Sequence, residues 1–224
     1  MQNNTEDKLT QEEVWDEIAS LWNKYKVIPF GQNEKGNLIC DFIDKKDNKI
    51  LDLGCGSGRN FSSLINCGFN GRIYGVDFSQ NMLDLAKENA EKLGIELELK
   101  KANTWETGYE DNFFDKIICI ATIHCILRKE DRQKTLEECY RLLRNNGKLL
   151  ITSWNKANKR WRGTKKERTV SWNLNGKEGG EKVYRNYYLY DTEELISELE
   201  NVGFKIVKRN FGTGRNIIII VSKD

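Results

Sequence analysis

The chain has 224 residues, of which 38% are hydrophobic and 31% charged. That length and balance suit one folded unit with appendages and exclude a disordered chain. Its 36 Lys and Arg nearly cancel 34 Asp and Glu, for a net charge of +2, so no global field directs it to nucleic acid and any basic site is local.

Met1 to Thr10 is polar and acidic, without the apolar run of a signal peptide. Apolar runs such as Ile217 to Val221 are only of strand length. The reading is a cytoplasmic protein with no membrane partner. Six cysteines stand at Cys40, Cys55, Cys67, Cys119, Cys125 and Cys139, with no C-x-x-C pair and one histidine in the chain. This spacing gives no metal site, and predicts reduced, mostly buried thiols.

Glu12 to Tyr25 predicts an amphipathic helix, with Val14, Trp15, Ile18, Leu21, Trp22 and Tyr25 at helical spacing, ended by Pro29 and Gly31. A second helix is expected over Glu34 to Ile43. Strand and helix then alternate: strand Lys49 to Leu53, helix Arg59 to Asn66, strand Arg72 to Val76, and helix Asn81 to Leu93 with Met82, Leu85 and Ala86 inward. Ile95 to Leu99 follows as a strand. Phe114 to Ala121 is a continuous apolar strand, the mark of a sheet covered on both faces. Helix Glu130 to Leu143, closed by Asn145-Asn146-Gly147, leads to strand Lys148 to Trp154. After an irregular charged stretch come helix Thr192 to Asn201 and strands Phe204 to Lys208 and Asn216 to Val221, joined by a turn at Gly212 to Gly214. Such alternation implies a doubly wound α/β fold with a mostly parallel sheet, and a short final turn requires an antiparallel hairpin at its end.

The turn Asp52-Leu53-Gly54-Cys55-Gly56-Ser57-Gly58-Arg59-Asn60 carries the first chemistry. Its alternating glycines, Gly54, Gly56 and Gly58, let the backbone turn sharply and approach a ligand, and the helix start after Asn60 favours an electron-rich group. Asp52, at the strand end, would repel a pyrophosphate but suits a cationic amino-acid cofactor, as S-adenosylmethionine is. Asp77 stands where a ribose-binding acid is expected, at the end of the next strand. Phe78 lies along the adenine in this reading, and Ser79 caps the helix that carries Met82. Asn103 falls where the adenine amino group is contacted, and Ile120 completes the cofactor set. Capping of turns by Asp52 and Asp77 is the structural alternative.

With these residues placed, the chain resembles the tRNA wobble-uridine carboxyl methyltransferases, within the class I S-adenosylmethionine-dependent fold. The resemblance rests on Val14 to Ser20, on Phe114-Asp115 through Ile120-Ala121-Thr122-Ile123-His124, on Glu130 and Arg132, on Gly147-Lys148 through Ser153-Trp154-Asn155, on Val183 to Tyr190, and on Arg215-Asn216. It implies a seven-stranded sheet and esterification of 5-carboxymethyluridine in the tRNA anticodon loop. It also implies a small zinc-binding activator protein, for which the third strand of the sheet is the candidate edge. The chain departs from the family at Cys125, Lys26 and Asp131, where a second histidine and two arginines are usual. The expected organisation is one methyltransferase domain over 1–224, with a helical extension over 1–47 and a basic, aromatic insertion over 155–190.

His124 follows an apolar strand at the end where such folds bind ligands. A carboxylate is ionised at neutral pH and needs no base to attack a sulfonium methyl, so catalysis is alignment and removal of water. His124, Lys26, Arg185, Tyr187 and Tyr188 are the expected holders of the acceptor. Lys156 to Arg168 holds seven Lys or Arg and one Glu, punctuated by Trp154, Trp161 and Trp172, a pattern that grips phosphates and stacks bases or is a solvated loop with tryptophans packed inward. Two other functions share the cofactor residues: methylation of a small acceptor, and a non-catalytic binding module.

Overall fold

A computed structural model describes residues 9–25, 32–33, 36–174, 181–210 and 214–224. Lys26, Pro29, Gly31, Gly212, the start of the second expected helix and the tip of the basic insertion lie outside them. In chain order the elements are α1 (Gln11–Tyr25), β1 (Gln32–Asn33), β2 (Gly36–Asn37), β3 (Lys49–Leu53), α2 (Phe61–Asn66), β4 (Arg72–Asp77), α3 (Gln80–Leu93), β5 (Leu97–Lys101), β6 (Phe114–Cys119), α4 (Lys129–Leu142), β7 (Leu143–Trp154), β8 (Glu167–Asn173), β9 (Lys182–Tyr188), α5 (Thr192–Val202), β10 (Lys205–Arg209) and β11 (Asn216–Ser222).

Seven strands form one sheet in the order β10-β11-β7-β6-β3-β4-β5. The pairs of β3 with β4 and β6, of β4 with β5, and of β6 with β7 are parallel, while β11 runs antiparallel to both β7 and β10. This is the class I methyltransferase arrangement that the sequence predicts. Period-two alternation feeds a core on each face. On one face Leu51, Leu53, Ile117, Cys119, Leu149, Ile151 and Ile219 pack against Leu136 and Leu142 of α4 and Leu195 and Leu199 of α5. On the other Ile50, Ile118, Ile120, Leu150 and Ile220 meet Phe61 and Leu64 of α2 and Leu83 and Ala86 of α3. Leu83, not Leu85, is buried beside Met82 and Ala86.

Four expectations are corrected. Residues 38–43 make a single turn, with the Phe42 and Ile43 amides both donating to the Ile39 carbonyl, where a helix over Glu34 to Ile43 was expected. Cys40 of that turn is disulfide-bonded to Cys67, the cap residue at the end of α2, with Cα atoms 5.0 Å apart; the other four cysteines are free thiols. Sequence spacing of 27 residues carried no signal for this pair, which only the packing of the turn against α2 creates. The charged stretch after β7 is not irregular: β8 and β9 form a separate antiparallel hairpin in register from Glu167↔Tyr188 to Asn173↔Lys182. Gln11 of α1 ties its edge, its side-chain amide donating to the Tyr184 carbonyl at 3.2 Å and accepting from the Asn186 amide at 2.8 Å. Strand β5 begins two residues later than the sequence predicts and occupies the sheet edge. No helix among the described residues is long and apolar enough to cross a membrane.

Candidate active site

Strand order reverses at β3, whose neighbours are β4 on one side and β6 on the other. Loops leaving the C-terminal ends of these strands diverge there and open a crevice. A cavity of about 260 Å³ occupies it, walled by the glycine loop, Asp77 and Phe78 at the end of β4, Asn103 to Trp105 after β5, Ile120 to Thr122 and Cys125 to Arg128 after β6, and Trp15 and Trp22 of α1.

Asp52, fully buried at the end of β3, accepts from Asn60 Nδ2 at 3.1 Å and 3.3 Å. Asn60 occupies the N-cap position of α2 but has helical φ/ψ and makes no side-chain cap, its Nδ2 donating to Asp52. Its Oδ1 is buried without a partner among the described residues. Burial pushes the Asp52 carboxyl up to about 7, against the opposing pull of Asn60 and the Arg59 guanidinium. Burial also holds Arg59 below its ordinary value. Asp77 accepts from the Gly56 amide at 2.8 Å and the Ser79 amide at 3.1 Å, which leaves lone pairs free on both oxygens. Burial raises it to about 6. Ser79 Oγ accepts from the Met82 amide at 3.1 Å, the predicted cap, and donates to Asp16 of α1 at 2.5 Å. Two buried carboxylates with raised pKa values, neither in a salt bridge among the described residues, and an orphaned amide oxygen form a donor set that fits a cationic ligand.

The three loop glycines have different tasks. A Cβ on Gly58 would run into the Phe61 ring, and one on Gly54 into the Thr122 side chain. At Gly56, by contrast, the nearest atom to an added Cβ would be Met82 Sδ at 3.9 Å, so this residue presents bare backbone to the cavity. Gly54, Gly56, Asn60, Asp77, Phe78, Met82, Asn103 and Ile120 all border the cavity, while Asp52 and Gly58 support the loop from behind.

The sequence reading missed Trp15 and Trp22, which were assigned only to an apolar helix face. Their spacing of seven puts both on one side of α1, and that side closes the crevice. It also missed Ala121, held at a positive φ of 59° immediately after Ile120, where it turns residues 121–125 across the cavity.

His124 lies behind this turn, buried and stacked on Trp154 at 5.0 Å between ring centroids, with Tyr187 at 5.6 Å. Burial and the nearby Arg185 guanidinium lower its pKa to about 3. Arg185, 5% exposed, is ringed by Trp172 at 4.9 Å, Trp22 at 5.2 Å, Tyr187 at 5.3 Å and Trp15 at 5.5 Å. It forms no salt bridge among the described residues, and its Nε, like His124 Nδ1 and Trp172 Nε1, is buried without a partner there. His124, Arg185 and Tyr187 thus converge. Tyr188 does not: it projects from the opposite face of β9, donating to Glu194 at 2.5 Å and covering the Arg132 guanidinium at 3.8 Å.

The sequence family described as methyltransferase domain matches residues 44–193, more than half of the chain, and the chain belongs to that family. It is 27% identical over 176 residues to a protein described as a methyltransferase from Encephalitozoon cuniculi (strain GB-M1), covering 74% of this chain and 76% of that one. Over 149 residues it is 38% identical to demethylmenaquinone methyltransferase of Bacillus cytotoxicus, covering 62% of this chain and 61% of the relative. Over 184 residues it is 26% identical to tRNA N(3)-methylcytidine methyltransferase trm140 of Schizosaccharomyces pombe, covering 79% and 57%. Among solved structures, an S-adenosylmethionine-dependent methyltransferase of Methanosarcina mazei superposes with a TM-score of 0.70 at 19% identity, over 84% of this chain and 97% of that one. A chain of the complex between the Haloferax volcanii Trm112 methyltransferase activator and a methyltransferase does so with a TM-score of 0.59 at 14% identity, over 80% and 83%. These two likenesses are of fold.

Proposed function

We propose that this protein is an S-adenosylmethionine-dependent methyltransferase that esterifies a carboxylate, that of 5-carboxymethyluridine at the tRNA wobble position. The cofactor is S-adenosyl-L-methionine, which when bound supplies an electrophilic methyl on a sulfonium. The orphaned Asn60 oxygen takes its ammonium end with the Asp52 charge directly behind it, Asp77 takes its ribose, and Gly56 lets the backbone close on it. Phe78, Met82, Asn103 and Ile120 flank the adenine.

One observation carries the carboxylate reading: Arg185 is a buried cation with no acid beside it among the described residues. A buried charge without a counter-charge is costly, and an incoming carboxylate removes that cost. His124 supports the same reading. Its pKa of about 3 keeps it neutral and makes it a feeble proton acceptor, and it is the chain's single histidine. An ionised carboxylate has no proton to lose. His124, Arg185 and Tyr187 therefore orient the acceptor for in-line attack and keep water out. Lys26 joins them as a proposal from sequence alone.

The tRNA relative supports an RNA acceptor, and the demethylmenaquinone relatives support the rival, a small molecule. The carboxylate argument is independent of that choice. The free edge at β5 is the proposed seat of a small zinc-binding activator. We propose the chain as one cytoplasmic methyltransferase domain over 1–224, with 1–47 as its helical extension and 155–190 as its substrate-side insertion.

The test is methyl transfer from labelled cofactor to tRNA bearing 5-carboxymethyluridine, with and without the activator, followed by nucleoside analysis. Label in an alkali-labile ester on the wobble uridine is the expected result. Absence of label in RNA, with cofactor bound and the activator present, moves the acceptor to a small carboxylic acid.

A further inference from the structure

The aromatic stack that begins at His124 does not end inside the protein. Trp154 stacks on His124 at 5.0 Å and an interplanar angle of 24°. Trp161 also stacks on Trp154, at 5.2 Å and 25°. Trp161 is itself 6% exposed, because the exposed guanidinium of Arg160 lies over its ring at 4.6 Å and reaches Trp154 at 5.9 Å. The short 3-10 turn Lys159–Trp161 holds this geometry, with the Asn158 side chain accepting from the Arg160 amide at 3.1 Å.

The charge around the stack is sorted. Lys166, central to the basic run, is neutralised by Asp191 and Glu194, each at 2.8 Å. Lys159, Arg160, Arg162 and Lys165 are exposed and form no salt bridge among the described residues. Three further cations without a salt bridge among the described residues thus lie on the same segment as one exposed guanidinium set against a pair of stacked tryptophans. Cations of this kind bind phosphates without regard to sequence, and an arginine plane backed by aromatic rings stacks an unpaired base.

We propose that Arg160, seated on Trp161 and Trp154, is a stacking platform for an unpaired nucleobase of the RNA acceptor. The base is distinct from the one methylated and flanks it in the chain. Lys159, Arg162 and Lys165 hold the phosphates on either side. The platform rests on the RNA-acceptor reading above. Because Trp154 also stacks on His124, the platform and the proposed acceptor site share one aromatic cluster.

The experiment measures binding of an anticodon stem–loop RNA by fluorescence anisotropy, replacing each loop base in turn by an abasic site. Wild type, Arg160→Ala and Arg160→Lys are compared, with cofactor affinity as the check on folding, since Arg160 does not border the cofactor cavity. Stacking on one base is expected to contribute about tenfold in affinity. One abasic position therefore weakens wild type about tenfold and leaves Arg160→Ala unchanged. Arg160→Lys keeps the charge but loses the plane, so it behaves as Arg160→Ala toward that position while retaining the wild-type salt slope. If every abasic position affects wild type and both variants alike, the platform is wrong while the RNA reading stands. If wild type does not bind the stem–loop at all, both fall together.

Discussion

Thr122 stands in the space that a side chain on Gly54 would occupy, and its hydroxyl donates to the Gly54 carbonyl at 3.3 Å. The glycine loop after β3 and the loop after β6 are therefore keyed into each other, so the cofactor side and the proposed acceptor side of the crevice share one joint.

This keying separates two glycines that look alike in sequence. Gly54→Ala forces a clash on top of its φ of 76° and is expected to cost about 3 kcal/mol or more. Gly56→Ala meets open cavity and bears only backbone strain at φ 52°, about 1–2 kcal/mol, yet it obstructs the cofactor. Thermal melts with calorimetric titration of S-adenosylmethionine check both. A mild Gly54→Ala melt, or normal cofactor affinity in Gly56→Ala, contradicts this division.

Asp52 and Asp77 predict how cofactor affinity follows pH. Their folded pKa values, about 7 and about 6, lie above the ordinary 3.8. The folded apo protein therefore holds protons that the unfolded chain releases, and it loses stability as pH rises from about 4 through 7. A cationic ligand favours the ionised carboxylates. Affinity is thus full above pH 7, falls by up to about tenfold per unit toward pH 6, and falls more steeply below it as both acids take protons. Calorimetry in buffers of different ionisation enthalpy detects the proton release on binding. Constant affinity across this range sinks the assignment of Asp52 to the cationic end and of Asp77 to the ribose.

His124 titrates near pH 3, so at saturating cofactor it contributes no inflection to kcat between about pH 5 and 8. His124→Ala is expected to lower methyl transfer by about tenfold or more while the cofactor Kd stays within about twofold. A wild-type inflection near neutrality that disappears in the variant identifies a proton-transfer role instead.

Arg185→Gln removes the buried cation but keeps a polar side chain. The expected loss is about 100-fold in kcat/KM for a carboxylate acceptor, as for other desolvated charge pairs. Wild type is expected to prefer the 5-carboxymethyl nucleotide over its amide, and the variant to lose that preference. Equal discrimination by both proteins removes Arg185 from the acceptor site.

Legibility in the sequence followed the range of the interactions. The glycine loop, Asp52, Asp77 and the Ser79 cap were readable because each is local, set by residues within a few positions on one strand-to-helix turn. Apolar alternation in β3, β6, β7 and β11 marked the doubly covered sheet, and the short final connection forced the antiparallel hairpin. The β8–β9 hairpin was unreadable for the opposite reason: its inward residues are Arg168, Trp172, Arg185 and Tyr187 as much as Val170 and Val183, a mixture without hydrophobic period.

What the sequence determined by itself was the strand–helix alternation from β3 to β7, the final antiparallel hairpin and the chemistry of the cofactor turn, because covalent neighbours and side-chain period dictate them. Tertiary structure alone decided the rest. It brought Cys40 to Cys67 and turned Trp15 and Trp22 of α1 over the crevice. It sent Tyr187 inward and Tyr188 outward from adjacent positions on β9. It also enclosed Arg185 among aromatic rings drawn from three separate elements, a contact that depends on how distant surfaces pack, which neither period nor spacing encodes.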